Sequence, residues 1–585
     1  MENKKEFIDK FLDFIFSKNN IKYLILLFII GFFLRGMAAN NLSPNADEMV
    51  HGTHALGILE SKKLQIMDQD AVWFYLTDIF YKTFGENLFG LRFMSILFGS
   101  LSIIVIYLIG RELFNKRTAL LASFILTLSS YHIAMTLAEM DTSMVFFILL
   151  SMYLLIKALK EQKNVLYILS SLFLGMAIMI KQIAVLLVPV FFLFILYYNR
   201  KDLKLKKLVY VILIVFIAII PILTFNYLLY KDKGLVDLQF SRFLGISKET
   251  YSSIELTLKP FRFNDLFFSY ENHPPGLIEG GGIVYKNNTF ILIFGLLGLI
   301  ISFVRNKEFS LLLLGSLFAP FIFLSGTSLL SIHFIFTVPL LSLFSANLLD
   351  VIILKFENKF KKISYLIIIL IILLSTFFIQ KDNLFRGKSE ITKLIEFKKE
   401  NINYDSLVIV DSRVYRGRIV LAFNDKHYLE ANYLNELVQK QKNLPGTETN
   451  LNTYFIECVT DDCGWGTINN QPDFNESMEE VVNFFRNNSR FLITIKDSYG
   501  ENYFNIYNTK LRLKESSLEL ADSTHEWFYY PVRYKGKSFD DYKVSGFIDK
   551  SLDKIAHYIL YLEIFLVLMT PFYISYLLFK KENEN

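Results

Sequence analysis

The chain has 585 residues, 53% hydrophobic and 20% charged, with 58 phenylalanines and a mean hydropathy of +0.37. Soluble domains carry about 25% charged residues, so this composition argues against one large soluble enzyme, and its apolar content argues against a disordered chain. Two cysteines cannot build a disulfide framework or a cysteine-rich zinc site, and 61 basic against 56 acidic residues is too even for a nucleic-acid binder of this size.

What remains is a polytopic α-helical membrane protein with a water-exposed portion. Residues Met1–Asn20 are charged but carry Phe7, Phe11, Leu12, Phe14 and Ile15, which suits an amphipathic helix on the inner surface rather than a cleaved signal. A spanning helix needs about 20 apolar residues, and the apolar runs predict about twelve spans. They lie at Ile21–Ala39, Leu91–Gly110, Thr118–Leu137, Ser143–Leu159, Val165–Ile180, Ile183–Tyr198, Leu208–Leu229, Thr289–Val304, Phe309–Leu324, Ser331–Leu349, Ile363–Ile379 and Ala556–Phe579. The division at Lys181 rests on a very short turn.

Charge placement tests this count. Lys4, Lys5, Lys10, Lys18 and Lys22 put the N-terminus in the cytosol, and every second connection is then basic: Arg111–Arg117, Lys157–Lys163, Arg200–Lys207, Arg305–Lys307, Lys355–Lys362 and Lys580–Lys581. The long connections, 40–90, 230–288 and 380–554, fall outside. The last of these alternates helical and extended patterns: Ser389–Glu400, Leu434–Gln441 and Met478–Arg486 read as helices. Leu407–Val410, Thr453–Glu457, Phe491–Ile495, Tyr503–Tyr507 and Trp527–Tyr534 read as strands. A small extracytosolic α/β domain is expected there, with Cys458 and Cys463 either in a local disulfide or as two thiols. The domain plan is therefore 1–20, a cytosolic segment; 21–380, the membrane domain; 381–554, the outer domain; and 555–585, a last span and cytosolic tail.

The chemistry gathers on the outer side. Asp47 and Glu48 follow the first span, with His51 about one turn on and His54 one turn beyond it. Adjacent carboxylates near a membrane are costly unless used or paired; helix capping by Asn45 or Asp47 is the alternative reading. His-x-x-His alone is a weak metal signal. A second acidic pair, Glu139 and Asp141, emerges after the third span, with capping of the fourth span by Asp141 or Thr142 as its alternative. Lys181 lies between two spans, where a lysine must be paired or face a water-filled cavity. Arg35 and Arg92 sit at the outer ends of spans one and two, where snorkelling would also place them. Arg242, Arg262 and His273 lie in the fourth outer loop, and His333 opens the tenth span. A carboxylate base beside cations at a membrane surface suits transfer from a lipid-phosphate sugar: the carboxylate deprotonates an acceptor hydroxyl and the cations receive the leaving phosphate. No Walker A pattern or strand-associated Gly-x-Gly-x-x-Gly is present.

Asp47-Glu48, then LRFMSILFGS from Leu91, IGRELFNKRTALLA from Ile109 and AEMD from Ala138 follow one another in an order that resembles glycosyltransferase family 39. That group includes protein O-mannosyltransferases and aminoarabinose transferases, within the GT-C superfamily. Gly175–Lys181 and His333–Pro339 resemble its later landmarks, so the likeness covers roughly Ile21 to Leu349. The resemblance implies a GT-C fold and an inverting transferase using a polyprenyl- or dolichyl-phosphate sugar, mannose among the candidates. The acceptor would be a protein, lipid or glycan. Independently of the resemblance, the charge asymmetry places the active site on the outer face, and the Lys-, Asn- and Ile-rich usage suggests a prokaryote with an AT-rich genome and hence the plasma membrane. The resemblance implies Asp47 as catalytic carboxylate with Glu48 beside it, Asp141 as the second acidic position, and Lys181 near the donor phosphate. Glu139, His51, His54, Arg92, Arg242, Arg262, His273 and His333 complete the candidate substrate-binding set. No cofactor is required by the sequence, and metal dependence is left open. The family's His-Pro-Pro in the first loop is replaced by Asp70–Tyr75, and His333 stands where arginine is common. A transporter, from the span count, and an oligosaccharyltransferase-like enzyme are the competing readings; the latter lacks a Trp-Trp-Asp element, Cys463-Gly-Trp-Gly466 being the nearest text.

Overall fold

The structure, a computed structural model, describes residues 20–56, 58, 71–137, 139–201, 205–233, 236–237, 240–241, 281–324, 335–355, 364, 367–368, 371, 387–460, 463, 472–522 and 546–583. The runs Met1–Asn20 (all but its last residue), Ile363–Ile379 (save four residues) and Trp527–Tyr534 lie outside them.

Among the described residues, six helices are long and apolar enough to cross a membrane: Ile21–Asn41, Leu88–Leu113, Met140–Glu161, Val209–Lys231, Thr337–Leu354 and Phe547–Leu578. Asn164–Ile180, Gln182–Tyr198 and Phe290–Arg305 are apolar but shorter. The expected run Thr118–Leu137 is broken. Its helix begins at Lys116 under an Asn115 cap and stops at Thr127, and Ser129 caps a separate helix, Ser130–Ala134. A serine that bonds a nearby backbone N–H offers the chain an alternative to continued helix. The division at Lys181 is real: Asn164–Ile180 ends there, Lys181 is extended, and a 3-10 turn, Gln182–Leu186, leads into Leu187–Tyr198.

Two helices form the centre of the bundle. Leu88–Leu113 and Met140–Glu161 are each 94% buried over their apolar window, against 28% for Ile21–Asn41 and Phe547–Leu578, whose outer faces are open. An apolar helix with an exposed apolar face is stable in hydrocarbon but not in water. The two central helices run parallel. At their C-terminal ends the basic connections meet: Asp350 is buried and binds Arg117, Asn115 at 2.9 Å and Arg305 at 3.5 Å, and Lys160 donates to the Glu112 carbonyl. The acidic segments lie at the opposite, N-terminal ends.

An α/β domain follows. Its main sheet has strands β1 (Leu407–Val410), β2 (His427–Glu430), β4 (Thr453–Cys458), β5 (Arg490–Lys496) and β6 (Asn502–Thr509) in the order β2-β1-β4-β6-β5; β3 (Glu448–Asn450) and β7 (Arg512–Lys514) form a separate pair. β1 is parallel to both neighbours, and β4, β6 and β5 are antiparallel. β1 is buried on both faces, which is why its sequence is an unbroken apolar run. Leu407 and Ile409 pack with Phe455 against Val482 and Phe485 of the helix Pro472–Asn488. Val408 and Val410 face the other way, into a core continuous with the membrane bundle. Helices Glu390–Asn401 and Arg416–Phe423 fill that side. Cys458 and Cys463 form a disulfide. The final helix starts at Phe547, well before the apolar run at Ala556.

Candidate active site

Asn45 accepts a hydrogen bond from the Glu48 N–H at 2.7 Å and caps the helix Ala46–Ala55, so capping is done by Asn45. Asp47 lies in the first turn of that helix, and its side chain is outside the described set. Glu48 points into the protein. Its carboxylate takes two hydrogen bonds from Arg92, Nε to Oε1 at 2.5 Å and Nη2 to Oε2 at 2.6 Å, and both residues are fully buried. The remaining Arg92 nitrogen binds the carbonyls of Ala39 at 2.5 Å and Leu42 at 2.9 Å. Arg92 therefore ties the end of the first span, the loop after it and the acidic helix to one point. The pair is bidentate, which adds geometric specificity to a charge-assisted contact.

The second acidic segment lies beside the first. Ser95, one turn beyond Arg92, donates to the carbonyls of Leu137 at 2.6 Å and Glu139 at 3.2 Å and fixes the turn before the helix Met140–Glu161. Glu139 then faces His51, whose Nδ1 is 3.1 Å from Oε2. Burial raises the Glu139 carboxyl above its ordinary range, and His51 opposes that shift. Asp141, in the first helical turn, is fully buried and accepts from Lys181 Nζ at 2.7 Å. The lysine arrives there because the preceding helix ends at Ile180 and the chain turns extended. Thr142 donates to the Met135 carbonyl at 3.1 Å.

Of the sequence candidates, the structure brings Glu48, His51, Arg92, Glu139, Asp141 and Lys181 to one end of the bundle. His54 lies in the last turn of the same short helix. Arg242, Arg262, His273 and His333 lie outside the described residues. Arg35 is fully buried, with Nη2 2.8 Å from His132 Nδ1 and Nη1 donating to the Gly31 carbonyl at 3.0 Å. Ser95 and His132 carry no spacing signal and were not foreseeable. Nor was Asp237, which is buried, accepts from Gln182 at 2.7 Å and has its N–H on Asn226 at 2.9 Å, pinning the turn beyond Lys181. Among the described residues no three His, Cys, Asp or Glu side chains are placed to hold a metal ion.

Residues 68–225 match the family described as dolichyl-phosphate-mannose-protein mannosyltransferase. Over 145 residues the chain is 32% identical to an uncharacterised protein of Aquifex aeolicus, covering 24% of this chain and 29% of that one, so it spans under a third of that relative's length. ArnT from Cupriavidus metallidurans, bound to undecaprenyl phosphate, superposes with a TM-score of 0.52 at 11% identity, covering 84% of this chain and 98% of that one. The apo oligosaccharyltransferase of Archaeoglobus fulgidus gives 0.50 at 14%, covering 76% and 70%. AglB of the same organism, in complex with an inhibitory peptide and a dolichol-phosphate, gives 0.50 at 13% over the same shares. These likenesses carry the fold: a membrane-embedded GT-C architecture, as the sequence resemblance implied.

Proposed function

We propose that the protein is a GT-C glycosyltransferase that moves a sugar from a polyprenyl-phosphate donor to an acceptor hydroxyl on the outer face of the membrane. One observation carries this reading. Two acidic segments and Lys181, far apart in sequence, meet at one end of the bundle with a bidentate Arg92–Glu48 clamp behind them. Donors of this class keep their tail in the bilayer and their phosphate at its surface, which is the depth at which span ends deliver side chains. Undecaprenyl phosphate on ArnT and dolichol-phosphate on AglB are ligands of the same chemistry on the same fold.

In this reading Asp47 takes the acceptor proton as the acceptor oxygen attacks the anomeric carbon. The bond from that carbon to the donor phosphate breaks on the opposite face, with inversion, and the polyprenyl phosphate leaves carrying the electron pair. Lys181 stabilises the phosphate charge that develops. Asp141 holds the ammonium in place until the phosphate arrives, and Glu48 with Arg92 positions the helix that bears Asp47. The α/β domain stands on the outer side, over the site, and the termini lie in the cytosol.

The test is transfer by the purified protein in proteoliposomes, with mannose and other sugars on polyprenyl monophosphate and an oligosaccharide on polyprenyl pyrophosphate. Transfer from a monophosphate, lost in Asp47→Asn with abundance and unfolding temperature unchanged, supports the reading. Transfer from the pyrophosphate alone favours an oligosaccharyltransferase-like enzyme. Turnover retained by Asp47→Asn removes Asp47 as the base.

A further inference from the structure

We propose that the α/β domain acts as the seat of the acidic helix: Arg416–Phe423 sets the position of Ala46–Ala55, and Gly417 is the positioning residue. The proposal rests on the functional reading above only where it concerns catalysis.

The acidic helix has ten residues. Helices that short are marginal in isolation, so packing determines whether and where this one forms. On one flank it is held by the membrane domain, through Arg92 on Glu48. On the other it meets the helix Arg416–Phe423. A Cβ on Gly417 would stand 2.7 Å from the Cβ of Met49 and 3.2 Å from the Met49 carbonyl oxygen, as well as 2.8 Å from the Tyr415 ring. These Met49 atoms belong to the backbone region of the acidic helix, so a side chain at 417 displaces the helix and cannot be accommodated by a rotamer change. One turn along, Gly52 faces Leu421 and Leu91, one from each domain; a Cβ there would lie 3.6 Å and 3.1 Å from their methyl groups. Both contacts use glycine for close approach of two helices.

The surrounding bonds keep this seat in register. Ser389 N–H and the Thr392 hydroxyl both donate to the Asn40 carbonyl, at 3.1 and 2.9 Å. Ser43, four residues before Asp47, donates to Glu390, which also accepts from Arg418 at 2.6 Å. Tyr81 donates to Asn424 at 3.4 Å. Tyr415 N–H, at the start of the seat helix, donates to the carbonyl of Cys463 at 2.8 Å, which ties the seat to the disulfide loop. The α/β domain is thus joined to the membrane domain by four hydrogen bonds, three of them to Asn40 and Ser43, in the segment just before the acidic helix. Reactions of this type lose on the order of a hundredfold in rate when a reacting group is misplaced by about 1 Å.

The experiment uses full-length protein in nanodiscs with Gly417→Ala, Gly417→Val and Leu421→Ala, and Lys440→Ala on an exposed helix as control. Amide hydrogen exchange over 46–55 and steady-state transfer are both measured. We expect exchange over 46–55 to quicken on the order of tenfold in the Gly417 variants. The transfer kcat should fall on the order of tenfold or more, with KM for the polyprenyl-phosphate donor within about twofold. Met49→Gly combined with Gly417→Ala should recover part of both losses. Unchanged protection of 46–55 in Gly417→Ala and Leu421→Ala overturns the seat. Quickened exchange with an unchanged kcat overturns its catalytic role. If the wild-type protein transfers no sugar while exchange responds as expected, the seat stands and the functional reading falls.

Discussion

Lys181 and Asp141 are forty residues apart in the chain and meet across 2.7 Å, the carboxylate fully buried and the ammonium slightly open to solvent. The asymmetry gives the pair a direction. The lysine can reach an incoming phosphate while the aspartate stays in place, anchored in the first turn of a central helix. In the proposed reaction that exchange of partners is how the donor is recognised.

Lys181→Met should therefore raise KM for a polyprenyl-phosphate donor by about tenfold or more, the loss of one charge-assisted hydrogen bond, and Lys181→Arg should restore part of it. Initial rates titrated against donor concentration read this. An unchanged KM in the methionine variant would remove Lys181 from the phosphate site.

The Arg92–Glu48 pair should behave as scaffolding. Arg92→Met leaves a buried carboxylate uncompensated and should cost roughly 3–5 kcal/mol of stability. The double variant Arg92→Met/Glu48→Met should recover most of that loss, because both buried charges are gone. Unfolding in detergent, followed by fluorescence, measures both; a double variant no more stable than the single one contradicts the assignment.

The α/β domain should lose stability in acid through Glu457. Burial pulls this carboxyl upward, but hydrogen bonds from Arg486, Tyr507 at 2.6 Å and Asn505 at 3.2 Å outweigh it and hold it below the ordinary carboxylate range. A lowered folded value means the unfolded chain binds the proton first. The stabilisation is complete above the ordinary glutamate range and disappears as pH falls through the lowered value. Melting temperature against pH should drop in that acid window, and Tyr507→Phe should make the drop shallower. An identical profile for the variant would show that Glu457 does not govern it.

Replacing the disulfide by Cys458→Ser/Cys463→Ser should cost about 2 kcal/mol, the loop-closure value for so short a ring. Because Tyr415 bonds the Cys463 carbonyl, limited proteolysis should then cut near the helix Arg416–Phe423 sooner than elsewhere in the domain. Uniform cleavage across the domain would separate the disulfide from the seat.

The separate pieces of the site were legible because each rests on local chemistry. The acidic pairs stand at span ends, and Lys181 breaks an apolar run where the chain does turn extended. Part of the α/β domain was legible element by element: the strand Leu407–Val410 and the helix Leu434–Gln441 fall where the pattern places them. The span count was less so, since six described helices meet the length and composition of a crossing against about twelve expected runs. Hydropathy averages over breaks such as Ser129 and cannot register a helix that stops on a side-chain cap. Arg416–Phe423 and β2 were missed because their apolar periodicity is short and interrupted by charge.

The sequence by itself determined that the protein is membrane-embedded, that its basic connections gather at one end and its two acidic pairs at the other, and that an α/β domain follows. Those properties are sums over local composition and spacing. Only the tertiary structure decided which partner each charge takes. Glu48 turns inward to Arg92, His51 to Glu139 and Lys181 to Asp141. Helix rotation and crossing fix those choices through packing between residues far apart in the chain, and no local pattern encodes them.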